Sequence, residues 1–129
     1  MFGINKPKII TDENKINELL TRGVENIYPT PEFLKSKLMK GERVSIYLGI
    51  DPTGKTLHLG HVIPLLKMRK FQELGHQIIL LMGDFTAMIG DPTDKSAVRK
   101  QLTHKEVMDN LKEYKKQASK FIDFGGENP

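Results

Sequence analysis

The sequence predicts an α/β fold, the first part of a larger parallel-sheet domain with a helical segment in front of it. Three observations point there. Residues 43–50 alternate as a half-buried strand does, with Val44, Ile46, Leu48 and Ile50 on one face and Ser45, Tyr47 and Gly49 on the other. Residues 57–74 carry Leu59, Val62, Ile63, Leu65, Leu66, Met68, Phe71 and Leu74, apolar nearly all round, and predict a buried helix closed by Gly75. Residues 78–82 form a continuous β-favouring run, the pattern of a strand covered on both faces. Strand, helix and strand in this order make a βαβ unit, for which a right-handed connection is expected.

The other elements follow in chain order. Residues 1–10, with Lys6, Pro7 and Lys8, read as a loosely held arm. Asp12 suits the N-cap of a helix bearing Ile16, Leu19 and Leu20 and ending at Gly23. After "YPTP", a second short helix starts at Pro31, carries Phe33, Leu34 and Leu38, and stops at Gly41. Residues 1–41 thus read as an arm and helical segment, and residues 42–129 as a partial sheet domain. Thr103 to Phe124 predicts a closing helix whose apolar residues Val107, Leu111, Tyr114, Ala118, Phe121 and Ile122 step by three and four, its other face mostly lysine. Two strands with open edges rarely make a stable sheet, so a further strand is expected after "GGENP".

Composition narrows the function. The 129 residues suffice for one ordinary domain or a part of a larger one. Twenty Lys and Arg against sixteen Asp and Glu leave a net charge of +4, which favours anionic partners such as nucleotides or nucleic acid. The absence of cysteine excludes disulfides and thiolate metal sites. The longest apolar run is too short to span a bilayer and the N-terminus lacks a signal-peptide apolar core, so a cytoplasmic location without membrane attachment is expected.

The stretch "IYLGIDPTGKTLHLGH" fits two nucleotide patterns. Gly49 to Thr56 satisfies the P-loop G-x-x-x-x-G-K-[ST], in which Lys55 would hold phosphate and Asp84, ending "IILLMGD", would serve magnesium. His58-Leu59-Gly60-His61 satisfies H-x-G-H. A P-loop helix starts at the Gly-Lys pair, which would bury Gly60 and Pro64 in its interior, where both are costly. A helix starting near Leu57 instead sets His58 and His61 on one face of its first turn, beside the positive end of the dipole, able to donate to phosphate oxygens. Gly60 between them offers bare backbone to a flat adenine or ribose. A metal role for the pair lacks a third ligand at helical spacing, and two histidines without a role are the plain alternative. By strand parity Tyr47 and Asp51 face the same way with Gly49 between them, as a pocket floor would require. A strand tyrosine is otherwise a packing residue, and Asp51 before Pro52 is equally an Asp-Pro turn.

"YLGIDPTGKTLHLGH" followed by "GDFTAMIGDPTDKSAVR", with "RKFQELGH" and "FIDFGGEN", resembles the N-terminal half of a bacterial tyrosyl-tRNA synthetase, a class I aminoacyl-tRNA synthetase with the HIGH signature. The resemblance runs from about Leu19 to the C-terminus. It implies a Rossmann-like catalytic domain and a ligase that joins the tyrosine carboxylate to the α-phosphate of ATP, then passes tyrosine to tRNA(Tyr). Magnesium accompanying ATP and a homodimeric whole protein are implied with it. Residue by residue, it assigns Tyr47 to the substrate phenol and Asp51 to the ATP and amino-acid site. Thr53 and His58 would contact the γ-phosphate, His61 the ribose and adenine beside Gly60, and Thr86 and Asp91 the tyrosine ammonium. Lys95 and Arg99 would close over the leaving pyrophosphate. Lys55 falls at a variable, exposed position of this pattern.

Three departures stand out. Leu48 occupies a position that is small or polar in many relatives, "GDFTAM" replaces a Gly-rich "GGATG" and leaves the role of Asp84 open, and the KMSKS-like half and anticodon-recognising region are not in the sequence. The chain alone is therefore expected to bind ATP weakly and not to charge tRNA. A tryptophanyl relative, a P-loop NTPase using Lys55, and a non-catalytic RNA- or nucleotide-binding module using the basic face of residues 105–120 are the other readings.

Overall fold

The computed structural model describes residues 8–89 and 101–125. Asp91, Lys95 and Arg99 lie outside these, so three of the expected site residues are not placed.

Helices α1 (Glu13–Thr21) and α2 (Pro31–Met39) form where the capping chemistry predicts. The Asp12 carboxylate accepts from the Lys15 N–H at 2.9 Å, and the Thr30 hydroxyl from the Phe33 N–H at 3.2 Å, each satisfying an otherwise orphaned donor of a first turn. Strand β1 (Ser45–Ile50), helix α3 (Leu59–Glu73) and strand β2 (Gln77–Met82) follow, the strands parallel and in register from Ser45 opposite Gln77 to Ile50 opposite Met82. A short helix α4 (Phe85–Ile89), not foreseen from the sequence, and the long α5 (His104–Ala118) complete the described chain. None of the described helices is long and apolar enough to cross a membrane.

Two clusters of buried side chains hold these elements together. Ile16, Leu19, Leu20 and Leu38 meet Phe71 and Leu74 at the end of α3, with Ile46 and Ile78 against them from the sheet. Leu65 and Met68 meet Ala118 and Ile122, with Leu48 and Leu80 closing the cluster. Burial of a Leu or Met side chain contributes about 1.5–3 kcal/mol, so α3 is the element on which both clusters depend. Lys67 adds a polar link, its ammonium donating to the carbonyls of Leu19 (2.8 Å) and Arg22 (2.6 Å) at the end of α1.

The structure corrects four expectations. Helix α3 is not buried all round: Leu65, Met68 and Phe71 face the cores, while Leu59, Ile63 and Leu66 are exposed, because the two-stranded sheet and α5 cover only one side. For the same reason, among the described residues β2 is covered on the face of Ile78 and Leu80, and Ile79 and Leu81 stand open beside Tyr47 and Gly49. The described end of the N-terminal arm is held, not loose. Ile10 donates to the Leu74 carbonyl at 3.0 Å, and a Cβ at Gly75 would come within 2.6 Å of the Lys8 carbonyl oxygen. Helix α5 ends at Ala118, not near Phe124, since Gln72 and Asp123 exchange two hydrogen bonds (2.7 and 2.8 Å) that draw the chain toward α3.

Candidate active site

The parallel register fixes the first part of the site. Ile50 pairs with Met82, so the residues after them, Asp51 and Gly83, emerge side by side at the carboxyl ends of the strands, the place where open α/β sheets take their ligands. Gly83 extends the ladder by donating to the Ile50 carbonyl at 3.0 Å. Two residues into the next helix, the Thr86 hydroxyl donates to the Asp51 carboxylate at 2.6 Å. A Cβ on Gly83 would overlap both the Asp51 Oδ1 and the Thr86 Oγ1, so glycine is what lets this pair close. Sequence reading brought Asp51 and Thr86 to one substrate but missed Gly83. The register, which sets the residue after β2 against Asp51, is what reveals it. The Asp84 carboxylate accepts from the Phe85 N–H at 2.7 Å, at the start of α4.

The second part is the start of α3. His58 is its N-cap, with its carbonyl accepting from the N–H groups of His61 (2.9 Å) and Val62 (3.1 Å). The His58 N–H donates to His61 Nδ1 at 3.3 Å, and the two rings stack with centroids 3.7 Å apart. Because Nδ1 accepts, Nε2 carries the hydrogen of a neutral His61 and is left to donate. Burial, and then the neighbouring His58, hold the His61 pKa below its ordinary value, which favours that neutral form. The surface above Gly60 is taken by the His58 ring, which a Cβ there would approach to 3.0 Å.

His58 and His61 share a cleft of ≈ 470 Å³ with Thr53, Gly54 and Thr56, closed on other sides by Ala87 to Ile89, Gln101 and Leu102 and by Tyr114 of α5. Tyr114, read from the sequence only as an apolar step, lies with its ring 5.7 Å from that of His61. Burial raises its phenol pKa, and a backbone hydrogen bond from Gly54 opposes that shift. The helix begins at Leu59, not at the Gly54-Lys55 pair, and exposed Lys55 is not among the residues lining the cleft. One reason given against a P-loop does not hold, however. Pro64 lies inside α3 in any case, where its missing N–H leaves the Gly60 carbonyl without an i+4 donor. That loss is confined to the helix start.

Residues 39–127 match the family of tRNA synthetases class I (W and Y), more than half of the chain. The chain belongs to this family. It is 48% identical over 115 residues to a tyrosine-tRNA ligase of Legionella pneumophila (strain Lens), covering 89% of this chain and 28% of that protein. Tyrosine-tRNA ligases of Carboxydothermus hydrogenoformans and Moorella thermoacetica are each 47% identical over 109 and 108 residues, covering 82% and 81% of this chain and 26% of each of theirs. The chain thus spans between a quarter and a third of the length of these relatives.

The described residues expected at the site fall in three places. The histidine cleft with Thr53 is one, and the Asp51–Thr86 pair at the strand ends is the second. Tyr47 is the third, 72% exposed on the open sheet face, with nothing within 4 Å of the position a Cβ on neighbouring Gly49 would occupy. The first two adjoin through the loop from Asp51 to Leu57, which leads from the end of β1 into the His58 N-cap.

Proposed function

We propose that the chain supplies the ATP-facing and part of the tyrosine-facing surface of a tyrosine-tRNA ligase. The observation that carries the reading is the pairing of His58 and His61 at the N-terminus of α3 in one cleft with Thr53. Hydrogen-bond donors at a helix start suit a triphosphate, since the dipole there favours negative charge. The three relatives are tyrosine-tRNA ligases, which supports tyrosine and tRNA(Tyr) as the other substrates.

On this reading the tyrosine carboxylate oxygen attacks the α-phosphorus, and the bond to the bridging oxygen breaks to release pyrophosphate. The nucleophile belongs to the substrate, so the protein positions groups and stabilises charge growing on the phosphates. Thr53 and His58 donate to the γ-phosphate. His61, with Nε2–H directed to donate, serves the ribose side, and the His58 ring covers the Gly60 backbone that the sequence left bare. Tyr47 exchanges a hydrogen bond with the substrate phenol, and a site built for that hydroxyl rejects phenylalanine, which would leave a polar group unpaired. Asp51, oriented by Thr86, supplies negative charge toward the tyrosine ammonium together with Asp91, because a buried zwitterion needs a counter-charge. Lys95 and Arg99 meet the pyrophosphate as its charge develops, which raises rate more than ground-state affinity.

Magnesium would arrive on the triphosphate, where it spreads phosphate charge. Among the described residues no three His, Asp or Glu side chains converge to hold it. A homodimeric whole protein, a cytoplasmic location, and a Rossmann-like catalytic unit starting near residue 42 behind an appended segment 1–41 belong to the same reading.

The test is calorimetric titration of ATP into Lys55→Ala and His58→Ala chains. Loss of a donor to charged phosphate is expected to weaken His58→Ala by about tenfold or more, with Lys55→Ala within about twofold of the parent. Loss of binding on the Lys55 change alone would return the site to the P-loop reading.

A further inference from the structure

Helix α5 presents three polar side chains toward the cleft loop at positions i, i+4 and i+7, a single helical face. Asn110, almost fully buried, donates from Nδ2 to the Pro52 carbonyl at 3.0 Å. The Tyr114 hydroxyl lies beside Gly54, 4.0 Å from where a Cβ on that glycine would stand. Gln117 uses both halves of its amide: its oxygen accepts from the Leu57 N–H at 2.9 Å and its nitrogen donates to the Lys55 carbonyl at 2.8 Å. The loop from Asp51 to Leu57 lies in no strand or helix, and unpaired backbone groups at a partly buried site are costly. Asn110 and Gln117 therefore do for this loop what a neighbouring strand would do, with Tyr114 packed between them on the same helix face.

From this geometry we infer that Asn110, Tyr114 and Gln117 are positioning residues that set the loop, and through it the placement of Thr53, His58 and His61. The loop leads directly into the His58 N-cap, so a shift at Leu57 is passed to the imidazole pair one residue on. Tyr114 adds a second link, since it stands beside Gly54 and its ring lies 5.7 Å from that of His61. The donor and acceptor requirement is specific. Glutamate at 117 can still accept from Leu57 but repels the Lys55 carbonyl, aspartate at 110 cannot donate to Pro52, and phenylalanine at 114 keeps the ring but loses the hydroxyl. The importance of the loop for nucleotide rests on the ATP reading above, whereas the positioning itself does not.

The experiment uses the 129-residue chain with Gln117→Ala, Gln117→Glu, Asn110→Asp and Tyr114→Phe, and Lys116→Ala on the exposed face of α5 as control. Amide exchange and the His58 and His61 imidazole resonances are read by NMR without ligand, beside the melting temperature. Loss of one hydrogen bond corresponds to about a tenfold change in local opening. Gln117→Ala is expected to speed Leu57 exchange by about that factor and to shift both imidazole signals, with Gln117→Glu restoring the Leu57 protection. Asn110→Asp is expected to shift the same imidazole signals. Tyr114→Phe is expected to shift the His61 signal, and the control should change neither imidazole signal nor the Leu57 exchange. Unchanged imidazole signals in the Gln117, Asn110 and Tyr114 variants would overturn the inference. So would a uniform rise in exchange across α5 and the sheet with a lowered melting temperature, the behaviour of mere packing residues. ATP titration of the parent chain is the separate arm: its failure beside the expected loop changes would sink the nucleotide reading and leave the positioning intact.

Discussion

At the scale of single residues, the site turns on where a side chain is missing. Gly83 lets the Asp51 carboxylate meet the Thr86 hydroxyl, and Gly60 lets the His58 ring lie over the first turn of α3. Gly83→Ala is expected to break the Asp51–Thr86 bond and weaken tyrosine binding by about tenfold, since one hydrogen bond to a charged group is worth roughly 1.5–3 kcal/mol. Tyrosine titration of the variant measures this, and unaltered affinity would remove Asp51 and Thr86 from the substrate site. Gly60→Ala is expected to separate the two imidazoles, seen as loss of the mutual ring-current shift in their NMR signals. The histidines, Asp51 and Thr86 were legible as sequence because they sit in short patterns. Gly83 was not, because its neighbour is more than thirty residues away in the chain and becomes visible only through the pairing of Ile50 with Met82.

At the scale of elements, α3 has two unlike sides, and periodicity alone could not tell them apart because both are apolar. Leu65→Ala is expected to cost about 2–5 kcal/mol of unfolding free energy, as buried Leu truncations do. Leu59→Ala, on the 72% exposed side, should stay within about 0.5 kcal/mol, and urea denaturation distinguishes the two. The turn from α3 into β2 buries His76 completely, with Nδ1 accepting from the Val44 N–H at 3.5 Å and Nε2 unpartnered among the described residues. Burial, and secondarily Arg43, lower its pKa from 6.5. The unfolded chain then binds the proton more readily, so stability is full above about pH 6.5 and falls as pH drops through that value toward the lower folded pKa. Denaturation from pH 7.5 to 5.5 should show this slope, and His76→Gln should flatten it; an equal slope in the variant would assign it elsewhere, His61 being the other histidine shifted the same way. Helix α5 was read correctly as amphipathic, but its polar inner residues Asn110 and Gln117 were passed over because attention to the apolar steps treats such positions as gaps. A polar residue inside an apolar stripe is the signal that could have found them.

At the scale of the molecule, the α/β order and the parallel strands were legible because strand and helix periods differ. What was not legible is the exposed side of the sheet, where Tyr47, Ile79 and Leu81 stand open among the described residues, since an apolar run does not say how many layers cover it. Membership in the class I synthetases rests on the matched residues 39–127, and tyrosine as substrate is the reading proposed from the relatives and the site. The most direct measurement exchanges residues 39–127 for the matching stretch of the Legionella pneumophila ligase and follows amino-acid-dependent ATP–pyrophosphate exchange. The account predicts exchange with tyrosine and not with tryptophan or phenylalanine, lowered about a hundredfold or more by His58→Ala, as for loss of one preorganised donor to developing charge, and little changed by Lys55→Ala. A folded chimera that exchanges with tryptophan, or that loses activity with Lys55→Ala and keeps it with His58→Ala, would contradict it.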